Sequence, residues 1–190
     1  MKLILRFFLL IILQGFFSHL SYSQSLFTEN SFKGINKLGI IVRGIPVPLY
    51  DLGIDEAVIL RLVREKFERS GIDISYTNSR EMFALSQSGN LTPDIYVIVD
   101  YVDRKYENKF SNGTYGTLKT IITEYTLEVE ISLRHSVILN FPTRVQKDRV
   151  KTYSKREIWS CKTENVNNEI RETLDELLDT FIIDLYKANK

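Results

Sequence analysis

Residues 121–135, "IITEYTLEVEISLRH", alternate apolar and polar side chains almost without a break. Tyr125, Leu127, Val129, Ile131 and Leu133 fall on one side of a two-residue period. Glu124, Thr126, Glu128, Glu130, Ser132 and Arg134 fall on the other. Successive side chains of a strand point to opposite faces, so the pattern predicts a long strand with one face on a core and one in water. A fold for this chain must build a sheet around that strand and cover one side of it.

The remaining segments supply the sheet and its cover. "KLGIIVRG" reads as a short strand stopped by Gly44, Pro46 and Pro48. From Asp55 to about Ser70, Val58, Ile59, Leu62, Val63 and Phe67 recur at helical spacing, and Gly71 supplies a left-handed stop. "IDISY" is a second strand, and Ser79 to Ser86 form a short helix capped by Asn78 or Ser79. "SGNLTPD" is a loop. "DIYVIVDYVD" is apolar on both faces, which predicts a central strand. Asn112-Gly113 marks a turn before the 121–135 strand, "FPT" marks another, and Arg149 to Trp159 return as a partner strand. Val166, Ile170, Leu174, Leu177, Leu178, Phe181, Ile182 and Leu185 then form the apolar face of a long helix.

The order is β-α-β, a short helix, three strands and a helix. Each long helix has one apolar face to bury. This predicts an α+β fold, a two-layer sandwich with a mixed sheet of about five strands and both long helices on one face. Residues 37–188 form the single domain, and residues 24–36 a polar lead-in. No internal repeat or low-complexity tract interrupts it.

The amino-terminal segment has the parts of a secretory leader. Lys2 and Arg6 precede the apolar run Phe7–Leu13, and Ser21-Tyr22-Ser23 places small residues where a signal peptidase reads, so cleavage is expected between Ser23 and Gln24. A spanning helix needs about 20 apolar residues, and Gln14, Gly15, Ser18 and His19 interrupt this run. No cysteine lies near the cleavage point to carry a lipid. Removal of residues 1–23 from the 190-residue chain leaves 167, with 23 basic against 24 acidic side chains. That balance provides no global field for nucleic acid, and after removal of the leader no stable membrane insertion is expected. Cys161 is the only cysteine, so it is either a buried thiol or joins two chains.

Enzyme signatures are hard to place. His135 is the only histidine left once the leader is gone, too few for an ordinary zinc site, and it reads as a solvated residue at a strand end. No phosphate-cradling glycine loop, nucleophile elbow, dinucleotide fingerprint or calcium loop is present. Asp100 and Asp103 are three apart in a strand, which puts them on opposite faces and weakens them as an acid–base pair. Asn90-Leu91-Thr92 and Asn112-Gly113-Thr114 match the glycosylation acceptor pattern and also read as turns. Neither a cofactor nor a metal is expected.

If Ile95, Val97, Val99 and Tyr101 face the helices, then Tyr96, Ile98 and Val102 share the outer face with Asp100. Glu124 and Glu128 flank them, and Tyr153 or Trp159 adds an aromatic from the last strand. An apolar and aromatic patch rimmed by carboxylates is a candidate surface for binding another protein. The alternative is that loops or the lead-in fold over it.

Three stretches carry a family resemblance: "ILRLVREKFERSGIDISYTNSREMFALS", "PDIYVIVDYVD", and "YTLEVEISL" followed by "REIWS" and a terminal helix. Over about residues 37–186 the chain resembles the small α/β domains of bacterial envelope-assembly proteins, such as the TolB amino-terminal domain and the activator lipoproteins of cell-wall synthases. A lipopolysaccharide-assembly lipoprotein has a similar element order and a similar "EYTL" strand. Most of these relatives carry a lipid-bearing cysteine after the leader, which this chain lacks. The resemblance implies a non-catalytic accessory role in the periplasm or envelope through contact with another envelope protein. The rival readings are a secreted hydrolase built on carboxylates and a small-ligand carrier.

Overall fold

The computed structural model describes residues 31–87, 92–110, 118–141 and 144–190, with side chains outside 138–147. The order is β1 (Lys37–Val42), α1 (Val47–Tyr50), α2 (Glu56–Arg69), β2 (Asp73–Tyr76), α3 (Ser79–Gln87), β3 (Asp94–Phe110), β4 (Leu118–Phe141), β5 (Arg144–Lys162) and α4 (Val166–Ala188). The five strands form one sheet in the order β2-β1-β3-β4-β5. β1 runs parallel to β2 and β3, whereas β3, β4 and β5 form an antiparallel meander. Helix α2 covers β1 and β2, α4 covers β4 and β5, and the two helices touch. This is the expected α+β sandwich.

Local chemistry sets the element ends. The Asp55 carboxylate accepts the Val58 N–H at 2.7 Å and caps α2. Gly71, at φ +68°, ends the helix in a conformation that L side chains rarely adopt. Asn78 accepts the Glu81 N–H at 2.9 Å to open α3, while Glu81 reaches back to the Thr77 N–H at 2.8 Å.

The core lies between the sheet and the two long helices. Ile95, Val97 and Val99 from β3 and alternate residues of β4 from Tyr125 to Leu133 share one buried cluster with Ile59, Val63 and Phe67 of α2. All eight apolar positions anticipated on α4, from Val166 to Leu185, are buried. Residues 31–36 are not merely a polar approach to the domain. Phe32 is fully buried, 4.8 Å from the Tyr153 ring and 5.1 Å from the Phe181 ring between centroids. Asn189 ties this entry down by donating to the Phe32 carbonyl and accepting from the Gly34 N–H.

The meander strands are longer than the apolar pattern implies, at 17, 24 and 19 residues. Polar cross-strand pairs extend them: Lys105 bonds Glu124 at 2.9 Å and Thr120 bonds Asn108 at 2.8 Å. A strand the length of β4 spans roughly 80 Å, against roughly 35 Å for the 23-residue α4. The strands therefore outrun the helix layer. The turns at 112–113 and 142–143, both glycosylation-pattern asparagines and the Ser23–Gln24 cleavage point lie outside the described residues.

Candidate functional site

The outer face of the sheet carries the residues anticipated there, with one exception. Tyr96, Ile98 and Asp100 are half-buried, and Val102 is 58% exposed. Tyr153 lies on the opposite face, 7% exposed in the core, with its hydroxyl 3.3 Å from Asp184. The register explains this: Tyr153 pairs with Leu133, a core-facing residue of β4. Trp159, opposite Leu127, also packs on the helix side.

The carboxylates of this face are engaged within the sheet. Glu124 pairs with Lys105 at 2.9 Å, Glu128 with Arg156 at 3.6 Å, and Glu130 with Lys151 at 2.6 Å. Ser154 also donates to Glu130 at 2.9 Å. Burial acts to raise the Glu130 carboxyl, but its bonds to Lys151 and Ser154 and the nearby Arg156 charge outweigh it and hold the group below the usual range. The Arg134 guanidinium lies 3.7 Å from the Tyr96 ring centroid and roofs it. The wet face of β4 thus helps fix the register of β3, β4 and β5.

A β-bulge corrects the placement of the two aspartates. Asp100 pairs with Glu128 and Asp103 with Thr126, because Val102 is inserted between them. Both therefore share the outer face. Each accepts the backbone N–H of the next residue, Tyr101 at 2.8 Å and Arg104 at 2.7 Å.

A buried polar cluster at the start of β3 was not foreseen. Asp94 is 2% exposed and forms an ion pair with Arg149 of β5. The same guanidinium donates to Tyr76 Oη at 3.0 Å, Ser136 Oγ at 3.1 Å and the Thr92 carbonyl at 3.2 Å. Burial pushes the Asp94 carboxyl up against the pull of Arg149, and burial with the Asp94 charge pushes the Tyr76 hydroxyl up to about 12. Asp94 opens an apolar run at an outer-face position, and this was the only available signal. Its partner is remote in sequence. The cluster joins the β4–β5 hairpin to β2 and β3.

His135 is half-buried rather than solvated. Its Nε2 lies 2.9 Å from the Ser31 carbonyl, and burial lowers its pKa. Cys161 is half-buried on the helix side, and burial raises its thiol. Among the described residues, no group of three or more His, Cys, Asp or Glu side chains is arranged to hold a metal ion. No described helix is long and apolar enough to cross a membrane.

Two surfaces remain open. Among the described strands, β5 borders the sheet and pairs only with β4, leaving a 19-residue edge on which the Ser31 hydroxyl takes the Thr152 carbonyl at 3.2 Å; the opposite edge, β2, is four residues long. At one end of the helix layer, a shallow groove is lined by Val47, Pro48, Leu52, Ile122, Tyr125 and Thr163. Exposed Tyr106, Phe110 and Leu118 extend along the β3–β4 arm.

No family model matches this sequence, and no curated protein matches it. Among solved structures, the chain is similar to a neuraminyllactose-binding hemagglutinin homolog from Helicobacter pylori. That match covers 80% of this chain and 87% of the other, at 9% identity and a TM-score of 0.38. It is also similar to a minor lipoprotein from Acinetobacter baumannii, over 80% of this chain and 95% of the other, at 10% identity and a TM-score of 0.26.

Proposed function

We propose that this chain is an exported, non-catalytic accessory protein of the cell envelope that binds another protein through the free edge of β5. The observation that carries the reading is the edge itself. A 19-residue strand paired on one side leaves a row of backbone donors and acceptors available to an added strand, apart from the Thr152 carbonyl, which the Ser31 hydroxyl takes at 3.2 Å. The outer face supports this choice, because its glutamates are paired within the sheet and Tyr96 is covered by Arg134. The leader-like segment at residues 1–23 supports export.

The experiment is site-specific photo-crosslinking of the full chain in its native cells. A photo-reactive residue replaces Ser160 on the β5 edge, Ile98 on the outer face or Glu65 on α2. A discrete adduct from position 160, absent from position 65, supports the edge. An adduct from position 98 alone moves the site to the outer face, and none from either position overturns the binding reading. Amino-terminal sequencing of the same material tests export. Gln24 as the first residue is expected, and a retained Met1 overturns the leader assignment.

A further inference from the structure

We infer that the apolar face of the β3–β4 arm packs against the same face of a second copy of this chain, in a two-fold dimer that leaves the β5 edge free. Among the described strands, β1 pairs with β3 over residues 94–97, and β5 follows β4 no further than Glu124. Beyond those points β3 and β4 pair only with each other, as a ribbon that ends at Phe110 and Leu118. A ribbon of two strands is marginally stable in water unless packing supports it.

The register sorts the side chains of this ribbon. Tyr106 lies opposite Ile122, Asn108 opposite Thr120 and Phe110 opposite Leu118, and Ile122 packs on the core. These six therefore continue the helix-side face past the end of the helix layer, and no charge interrupts them. Glu107, Lys109 and Lys119 stand on the reverse face, where Lys109 holds Glu107 at 3.4 Å. The alternation is that of a strand with one buried face, yet Tyr106 is 50% exposed, Phe110 74% and Leu118 53%.

The same face also holds a complement to that arm end. The groove lined by Val47, Pro48, Leu52 and Ile122 lies where the ribbon leaves the helix layer, and Val47 is 71% exposed. From Ile122 to Leu118 is about 13 Å at the rise of a strand. A two-fold axis through the Asn108–Thr120 pair, midway along that length, lays the Phe110 end of each ribbon over the groove of the other. One patch then satisfies itself twice.

Area and chemistry favour a second copy over other occupants. A whole aromatic side chain carries about 150–250 Å², so these exposed fractions leave on the order of 400 Å² of apolar surface per copy, a size that marks binding surfaces. With the polar groups between them included, two copies remove roughly 1,200 Å² from water, the area from which stable specific interfaces begin. A bilayer suits the ribbon poorly, because its unpaired edges find no partners in hydrocarbon. Lys105 and Lys109, which could meet lipid headgroups, are held by Glu124 and Glu107.

The test is sedimentation velocity of the full chain, purified from its own cells, from nanomolar to high micromolar concentration. A reversible monomer–dimer equilibrium in the micromolar range is expected. Phe110→Glu should raise its dissociation constant about ten-fold or more with an unchanged melting temperature. In a Cys161→Ser background, Phe110→Cys with Val47→Cys should give a disulfide-linked dimer on mild oxidation, and Phe110→Cys alone should not. Should Phe110→Glu melt at a lower temperature, the cysteine pair decides. A dimer that Phe110→Glu leaves intact overturns this face as the interface, and equal crosslinking by Phe110→Cys alone overturns the reciprocal arrangement. A monomer at every concentration overturns the second copy. Phe110-dependent co-sedimentation of that monomer with phosphatidylethanolamine–phosphatidylglycerol vesicles would give the face to lipid instead. The inference does not rest on the β5 edge, and the position-160 adduct tests that edge separately.

Discussion

Tyr76 packs against Gly39 across the parallel β1–β2 pair, so close that any Cβ at position 39 would overlap the ring carbons Cζ, Cε1 and Cε2. Gly39 leaves a groove in the outer face, and the Tyr76 ring fills it on its way to Arg149. Gly39→Ala must push either the ring or a sheet strand aside. The ring is 2% exposed and hydrogen-bonded at its tip, so it has little room to yield. Overpacking of this kind costs about 1–3 kcal/mol, and we expect the upper end. Thermal unfolding should show a fall of roughly 6–12 °C for a chain of this size. An unchanged melting temperature would mean that Tyr76 is free to swing out.

Phe32 should be as important to stability as residues of the regular elements. It packs edge-on against Tyr153 and Phe181 and is fully buried. Phe32→Ala removes a large side chain from the centre of that triad, and such truncations cost about 3–5 kcal/mol. Urea denaturation should show the loss, with little change in the slope of the transition. A cost below about 1 kcal/mol would return residues 31–36 to the status of a dispensable lead-in.

The expected and observed folds agree where side-chain period is strict and part where it is not. Alternation from Tyr125 to Leu133 and the helical spacing from Val166 to Leu185 assign every buried apolar residue in those runs, because each position is repeated by its neighbours, but not the burial of Glu130 and Ser132 on the polar side. Phe32 carries no such support, being one aromatic among polar residues. Asp103 changes face because Val102 bulges, and a single inserted residue leaves no mark on composition or period. Tyr153 was anticipated outside for a related reason: the register shifts between Leu133 and Arg134. The Asp94–Arg149 pair joins β3 to β5, and a contact between distant segments is invisible to any local pattern.

Asp94 and Arg149 should be strongly coupled. Asp94→Ala leaves the Arg149 guanidinium, 18% exposed at its side chain, without its counter-ion. Removing one partner of a buried pair costs about 3–5 kcal/mol, whereas replacing both by apolar groups of similar volume is often close to neutral. Asp94→Leu with Arg149→Met should therefore be more stable than either single variant in a urea-denaturation cycle. Additive losses would show that the two charges do not depend on each other.

His135 should make the stability of this chain fall on mild acidification. Burial lowers its pKa below the ordinary 6.5, and this outweighs the opposing pull of the hydrogen bond with the Ser31 carbonyl. The folded state therefore resists protonation that the unfolded chain accepts. The stability that follows from a neutral imidazole is fully present above pH 6.5 and is lost as the pH falls through that value towards the lower folded one. Unfolding free energies measured in urea from pH 7.5 to 5 should decline more steeply for the native chain than for His135→Gln. The glutamine amide can still donate to Ser31, so the comparison isolates the titration from the hydrogen bond. The native chain should also become easier to cleave near Ser31 over the same range, because the ring takes a proton more readily once this segment lifts away and ends its burial. Identical pH slopes for the two proteins would show that His135 titrates as a solvated side chain.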